Sequence, residues 1–153
     1  MINQVQISLA FVLSPLKYAD LNQNTSVIDA YCGVGTISLL LAKSAKYVYG
    51  IEVVKEAIIN ARENAKKNNI NNVKFIVGKV EEKIYDLVDE GVSTIVVDPP
   101  RKGLDQKVIE HIMNSKIKRI VYVSCNVSTL ARDINILKDK YYISKCAAVD
   151  MFC

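Results

Sequence analysis

The chain has 153 residues, 50% hydrophobic and 24% charged, a size and balance that fit one globular domain with its own core. It holds no apolar run of about 18 residues that would cross a membrane, and its net charge of +4 is compatible with a nucleic-acid partner without being evidence for one. The cysteines Cys32, Cys125, Cys146 and Cys153 are scattered without a Cys-x-x-Cys pair, so neither a metal site nor a disulfide framework follows, and a reducing cytoplasm is expected.

In chain order, Asn3 reads as the cap of a helix with Val5, Leu9, Val12 and Leu16 on one face, and Pro15 ends or kinks it. Residues 1–22 are therefore a helical lead-in and 23–153 the core. The N-terminus shows no basic segment followed by a small-residue cleavage site, so a secretory leader is not expected. The core then alternates. Strands are predicted at Val27–Ala30, Tyr47–Glu52, Val73–Val77, Thr94–Asp98 and Arg119–Ser124, with a last one within Tyr141–Val149. Helices are predicted at Thr36–Ser44, Lys55–Asn68, Glu82–Asp89, Gln106–Ser115 and Ser128–Lys138. Such β/α alternation predicts an α/β Rossmann-like fold, a mostly parallel sheet with helices on both faces, whose ligands bind beyond the carboxyl ends of the strands.

Four of those strand ends carry chemistry. After the first, Gly33 and Gly35 permit a tight turn into a helix, and the missing third glycine argues against a dinucleotide. Asp29 would repel a phosphate there, so a ligand with positive charge, such as the amino group and sulfonium of S-adenosylmethionine, fits better. Glu52 closes the next strand, where a carboxylate can accept both hydroxyls of an adenosine ribose. Asp98-Pro-Pro-Arg-Lys-Gly103 follows the fourth; paired prolines hold Asp98 rigidly for reading a base edge, and Arg101 and Lys102 can meet phosphate. The fifth ends at Ser124-Cys125-Asn126, where a thiolate beside a helix start is stabilised. Cys32 lies inside the glycine turn and reads as a small structural residue.

Val27-Ile-Asp-Ala-Tyr-Cys-Gly-Val-Gly-Thr-Ile-Ser38, Asp98-Pro-Pro-Arg-Lys-Gly103 and Ser124-Cys-Asn-Val-Ser-Thr-Leu-Ala-Arg-Asp133 together resemble the RNA uracil-C5 methyltransferases, from about Asn3 to Phe152. The resemblance implies a class I methyltransferase fold, S-adenosylmethionine as methyl donor, and tRNA or rRNA as the substrate. It makes Cys125 the nucleophile, puts Asp98 at the target base, and sets Tyr31, Thr36, Glu52 and Asp98 around the donor.

The sequence departs from that family at both ends. The family's cofactor-binding glutamine falls on Met1, Cys153 stands where proline is usual, and the catalytic glutamate of a His-Val-Glu segment, the last strand and the RNA-binding domain have no counterpart. The family's last strand runs antiparallel between the strands ending at Ser124 and Val149. The sequence reading therefore expects an unpaired strand or a shifted tail there, with an exposed sheet edge that invites a second copy of the chain. A binding remnant without catalysis is the competing reading.

Overall fold

The computed structural model describes residues 3–9, 13–88 and 91–148. In chain order these build β1 (Asn3–Leu9), α1 (Leu13–Ala19), β2 (Ser26–Ala30), α2 (Thr36–Ala42), β3 (Tyr47–Glu52) and α3 (Lys55–Lys67). The second half supplies β4 (Val73–Val77), α4 (Val80–Val88), β5 (Thr94–Val97), α5 (Gln106–Asn114), β6 (Arg119–Val123), α6 (Val127–Leu137) and β7 (Tyr141–Ala148). All pairings are parallel, in the order β4-β3-β2-β5-β6-β1-β7.

The strands read as continuous apolar runs because both faces are covered. Alternate residues part company: Ile28, Ala30, Ile95, Val97, Ile120 and Tyr122 join the core under α4, α5 and α6. Val27, Val96 and Val121 join the smaller core that contains Ala19, Leu41 and Ala42 of α1 and α2. Each large side chain fully buried in these layers contributes roughly 1.5–3 kcal/mol over an exposed one. At the far side, Lys140 Nζ donates to the Met113 and Ser115 carbonyls at 2.9 and 2.5 Å, and Tyr141 Oη to Ile117 O at 2.8 Å, tying the start of β7 to the end of α5.

One predicted element is of the wrong kind. Asn3–Leu9 is a strand, not the start of a helical lead-in; helix begins only at Leu13. The segment Gln4-Val-Gln-Ile-Ser-Leu9 alternates polar and apolar, a period of two that the three-to-four spacing obscured. The strand also changes the far edge of the sheet. β1 lies between β6 and β7 and pairs with both, so the gap expected there is filled by the beginning of the chain. The edges of the sheet are β4 and β7. The readings placed on Met1, Val12, Asp89 and Val149–Cys153 lie outside the described residues.

Register puts the strand ends in one row. Ala30 stands beside Ile51 on one side and Val97 on the other, and Val97 stands beside Tyr122. The residues that leave β2, β3, β5 and β6 therefore emerge together.

Candidate active site

The turn after β2 is built on unusual backbone. Tyr31 (φ 67) and Gly33 (φ 55) are left-handed, as is Gly35 (φ 84), the cap of α2. A Cβ at Gly35 would also come within 2.8 Å of the Phe75 ring, so the glycine serves both conformation and close packing. Over Gly33 a Cβ would meet nothing within 4 Å, which leaves the backbone open to a ligand. Tyr31 is a bulky side chain in a conformation that costs of order 1–3 kcal/mol and is found mainly where function over-determines it.

Glu52 secures this turn. Its Oε2 accepts from Gly33 N at 3.1 Å and its Oε1 from Val54 N at 2.9 Å. Each carboxylate oxygen keeps a lone pair, so the group is aimed by backbone donors and still able to accept hydroxyls. Below the turn, Cys32, Ile58, Ala61, Ala65 and Phe75 form a small core of their own. Burial, with Asp29 and Glu52 nearby, pushes the Cys32 thiol far up and leaves it inert.

Asp29 is 1% exposed, and its carboxylate accepts the Ser38 hydroxyl at 2.5 Å. It braces β2 against α2 instead of standing on the ligand-facing surface. Burial pushes its pKa up to about 7, helped by the charge of Asp98 and opposed by the Ser38 hydrogen bond.

A cavity of about 260 Å³ opens beside Glu52. Tyr31, Glu52 and Val53 wall one side, Gly78, Lys79, Val80 and Glu81 another, and Pro100, Lys102 and Asp105 the third. Apolar walls with a hydrogen-bonding carboxylate at the rim suit a nucleoside. The Gly78–Glu81 wall went unpredicted, although it follows β4 at the same sheet edge and the strand-end rule points to it. A larger, open depression of about 580 Å³ lies between the end of α3 and the start of β4. That is the amino-end side of the sheet, where parallel α/β sheets do not place their chemistry.

Asp98 leaves β5 exposed at the sheet edge, yet the protein on its flanks excludes enough water to raise its pKa. Arg101 and Lys102 are exposed, while their carbonyls are held from below: Thr129 Oγ1 donates to Arg101 O at 3.0 Å and Arg132 Nη2 to Lys102 O at 3.0 Å. Cys125 is an exposed free thiol one residue before the cap of α6. Asn126 caps that helix through Oδ1, accepting from Ser128 N and Thr129 N.

Asp133 was missed as a site residue. It is fully buried and accepts from Tyr122 Oη at 2.6 Å, Leu104 N at 2.8 Å, and Arg132 Nε and Nη2 at 2.8 and 2.6 Å. It closes the third motif, Ser124 to Asp133, but its role is not legible there, because its partners come from β6, α6 and the loop after β5. Of the predicted residues, Tyr31, Glu52 and Lys102 line the cavity; Asp98, Arg101 and Cys125 lie on the adjoining loop and helix start, Gly33, Gly35 and Thr36 in the turn, and Asp29 beneath. Among the described residues no cluster of three or more His, Cys, Asp or Glu side chains could hold a metal ion.

Residues 12–153 match the family model described as tRNA (Uracil-5-)-methyltransferase. An uncharacterized RNA methyltransferase of Clostridium acetobutylicum is 51% identical over 140 residues, 90% of this chain and 30% of that one. Another, from Oceanobacillus iheyensis, is 51% identical over 154 residues, 99% of this chain and 33% of that one. The chain thus spans about a third of the curated relatives it matches. Among solved structures, the Pyrococcus abyssi tRNA (uracil-54, C5)-methyltransferase in complex with S-adenosyl-L-homocysteine superposes with a TM-score of 0.70 at 35% identity, over 82% of this chain and 31% of that one. The precorrin-6y C5,15-methyltransferase of Geobacter metallireducens reaches a TM-score of 0.73 at 19% identity, over 84% and 69%, a likeness of fold alone.

Proposed function

Because the chain belongs to the tRNA (uracil-5-)-methyltransferase family, we propose that it forms the donor-binding and catalytic part of an enzyme that methylates carbon 5 of uracil in tRNA or rRNA. One observation carries the reading. Asp98 and the exposed thiol of Cys125 follow the ends of the paired strands β5 and β6, and the loop after Asp98 walls a nucleoside-sized cavity rimmed by Glu52.

S-adenosylmethionine bound here would supply an electrophilic methyl group on a sulfonium. The residues present fit it: Glu52 is held by two backbone donors with lone pairs to spare, and Gly33 presents open backbone. Tyr31, Gly33, Gly35, Thr36 and Glu52 are assigned to the donor, with Asp29 bracing the turn they share. Asp98 orients the uracil edge, and Arg101 and Lys102 reach phosphate.

Carbon 5 of uracil is a poor nucleophile on its own. The Cys125 thiolate adds to carbon 6, forming a C–S bond while the C5–C6 π electrons move to the carbonyl oxygen as an enolate. Carbon 5, made electron-rich in this way, would accept the methyl group that the donor supplies, the methyl's bond to sulfur breaking to leave a neutral thioether. Removal of the carbon-5 proton restores the double bond and expels the thiolate; we assign that step to no residue of this chain. The base must leave its stack to reach the thiol, which a rigid Asp98 and exposed cations favour.

The test uses RNA carrying 5-fluorouridine, whose carbon 5 offers no removable proton once methylated. With S-adenosylmethionine, a complex stable on a denaturing gel is expected. Cys125→Ser should abolish it, and serine at Cys32, Cys146 or Cys153 should not. Glu52→Ala should weaken S-adenosylhomocysteine binding by about 1–3 kcal/mol in calorimetry. If RNA and donor both bind and no adduct forms, the chain is a binding module.

A further inference from the structure

The loop after β5 and the helix that follows Cys125 are joined through one face of α6. Thr129, Arg132 and Asp133, spaced three and four apart, all point their polar atoms at the loop. What they grip is backbone: the carbonyls of Arg101, Lys102 and Leu104 and the amide of Leu104. The side chains of Arg101 and Lys102 stay free.

There is no slack in this joint. Gly103 is left-handed (φ 80), and a Cβ there would stand 2.6 Å from Arg132 Nη2 and 2.7 Å from Asp133 Oδ2. Four donors converge on the Asp133 carboxylate, one of them the hydroxyl of Tyr122, itself fully buried in β6 just ahead of Cys125. A buried ionic group is weak evidence of stabilisation, since apolar residues of similar volume often serve a fold as well. A carboxylate with directed bonds fixes distance and angle instead.

We propose that Arg132 and Asp133 are positioning residues: they lock the loop that carries Asp98 to the start of the helix that presents Cys125, and so set the gap in which the target base is held. This rests on the reading that Cys125 attacks a uracil oriented by Asp98. Neither residue touches the base. Their effect reaches the reaction through the two that do, and a misplacement of about 1 Å between reacting groups costs on the order of a hundredfold in rate.

Asp133→Asn keeps the shape and removes the charge; Gly103→Ala keeps every residue of the hub and drives a methyl group against Arg132 and Asp133, pushing the loop away. In both, the single-turnover rate of adduct formation on saturating 5-fluorouridine RNA should fall ten- to a hundredfold, while the dissociation constant for S-adenosylhomocysteine changes less than threefold. The double variant should lose little more than the worse single one, because both break the same joint. Adduct rates within threefold of the parent's in both, or losses matched by equal losses of donor binding, would overturn the assignment. Hydrogen exchange supplies a readout that needs no RNA. In Asp133→Asn the Gly103 and Leu104 amides should exchange at least tenfold faster while those of β2 and β3 hold. If the parent chain binds RNA and donor yet forms no adduct, the covalent reading falls and the lock is judged on exchange alone, where unchanged Gly103 and Leu104 amides reject it.

Discussion

The two halves of the candidate site are held together by opposite means. Around β2 and β3 the work is done by backbone and small residues: left-handed glycines, a thiol and a phenyl ring under the turn, and a glutamate bonded to main-chain amides. Around β5 and β6 a buried carboxylate gathers a guanidinium, a phenol and a loop amide from three elements. The first half is shaped to let a ligand lie against the chain. The second fixes two side chains that must act on one base, and directional bonds do that better than close packing. Damage should therefore differ in kind: loss of fit in the first, loss of alignment and of buried charge pairing in the second.

The largest effect is expected at the hub. Asp133→Ala leaves the buried Tyr122 hydroxyl and Leu104 N without their acceptor, while the half-exposed Arg132 guanidinium can turn to water, which together should cost about 2–4 kcal/mol in urea unfolding. Gly35→Ala comes next, at about 1–3 kcal/mol, because it strains a left-handed position and meets Phe75. Paired with Phe75→Leu it should cost measurably less; equal cost would put the whole penalty on backbone conformation.

Asp29 sharpens the comparison through pH. Its folded pKa of about 7 lies above the unfolded value near 3.8, so between those limits the folded chain keeps a proton that the unfolded chain has lost. Its contribution to stability is thus full below about pH 4, falls as pH rises, and levels off above about pH 7. Asp29→Asn should flatten that part of a stability-against-pH curve, and an identical slope in the variant would reject the shift. Smallest is Thr129→Val, which removes one tie to Arg101 O and should cost about 1 kcal/mol, with a modest slowing of adduct formation.

The same contrast explains what the sequence could reveal. The run from Val27 to Glu52 was readable because its signals are local: an apolar strand, two glycines, an acid at the next strand end. Asp98 and Cys125 were placed at the sheet edge by the same logic, as residues that follow β5 and β6, strands that pair side by side. Asp133 stood at the end of the third motif without a role, since its role exists only after β6, α6 and the β5–α5 loop converge. Asp29 was assigned to a ligand because an acid beside glycines looks exposed, whereas in the fold its partner is Ser38. β1 was misread because seven residues satisfy two periods almost equally, and only the space between β6 and β7 chooses between them.

That space has a consequence for the order of folding. β2, β3 and β4 are contiguous in the chain and adjacent in the sheet, so this part can assemble as soon as it leaves the ribosome. β1 precedes the other strands and has no neighbour until β6 and then β7 exist; Asn3 pairs with Tyr141, far along the chain. Closing so long a loop is slow, and an edge-capable strand waits unpaired meanwhile. β1 is thus seated late, and β7, whose partner in the sheet is β1, can follow only after it, so the docking of this pair should appear as the slow phase of refolding.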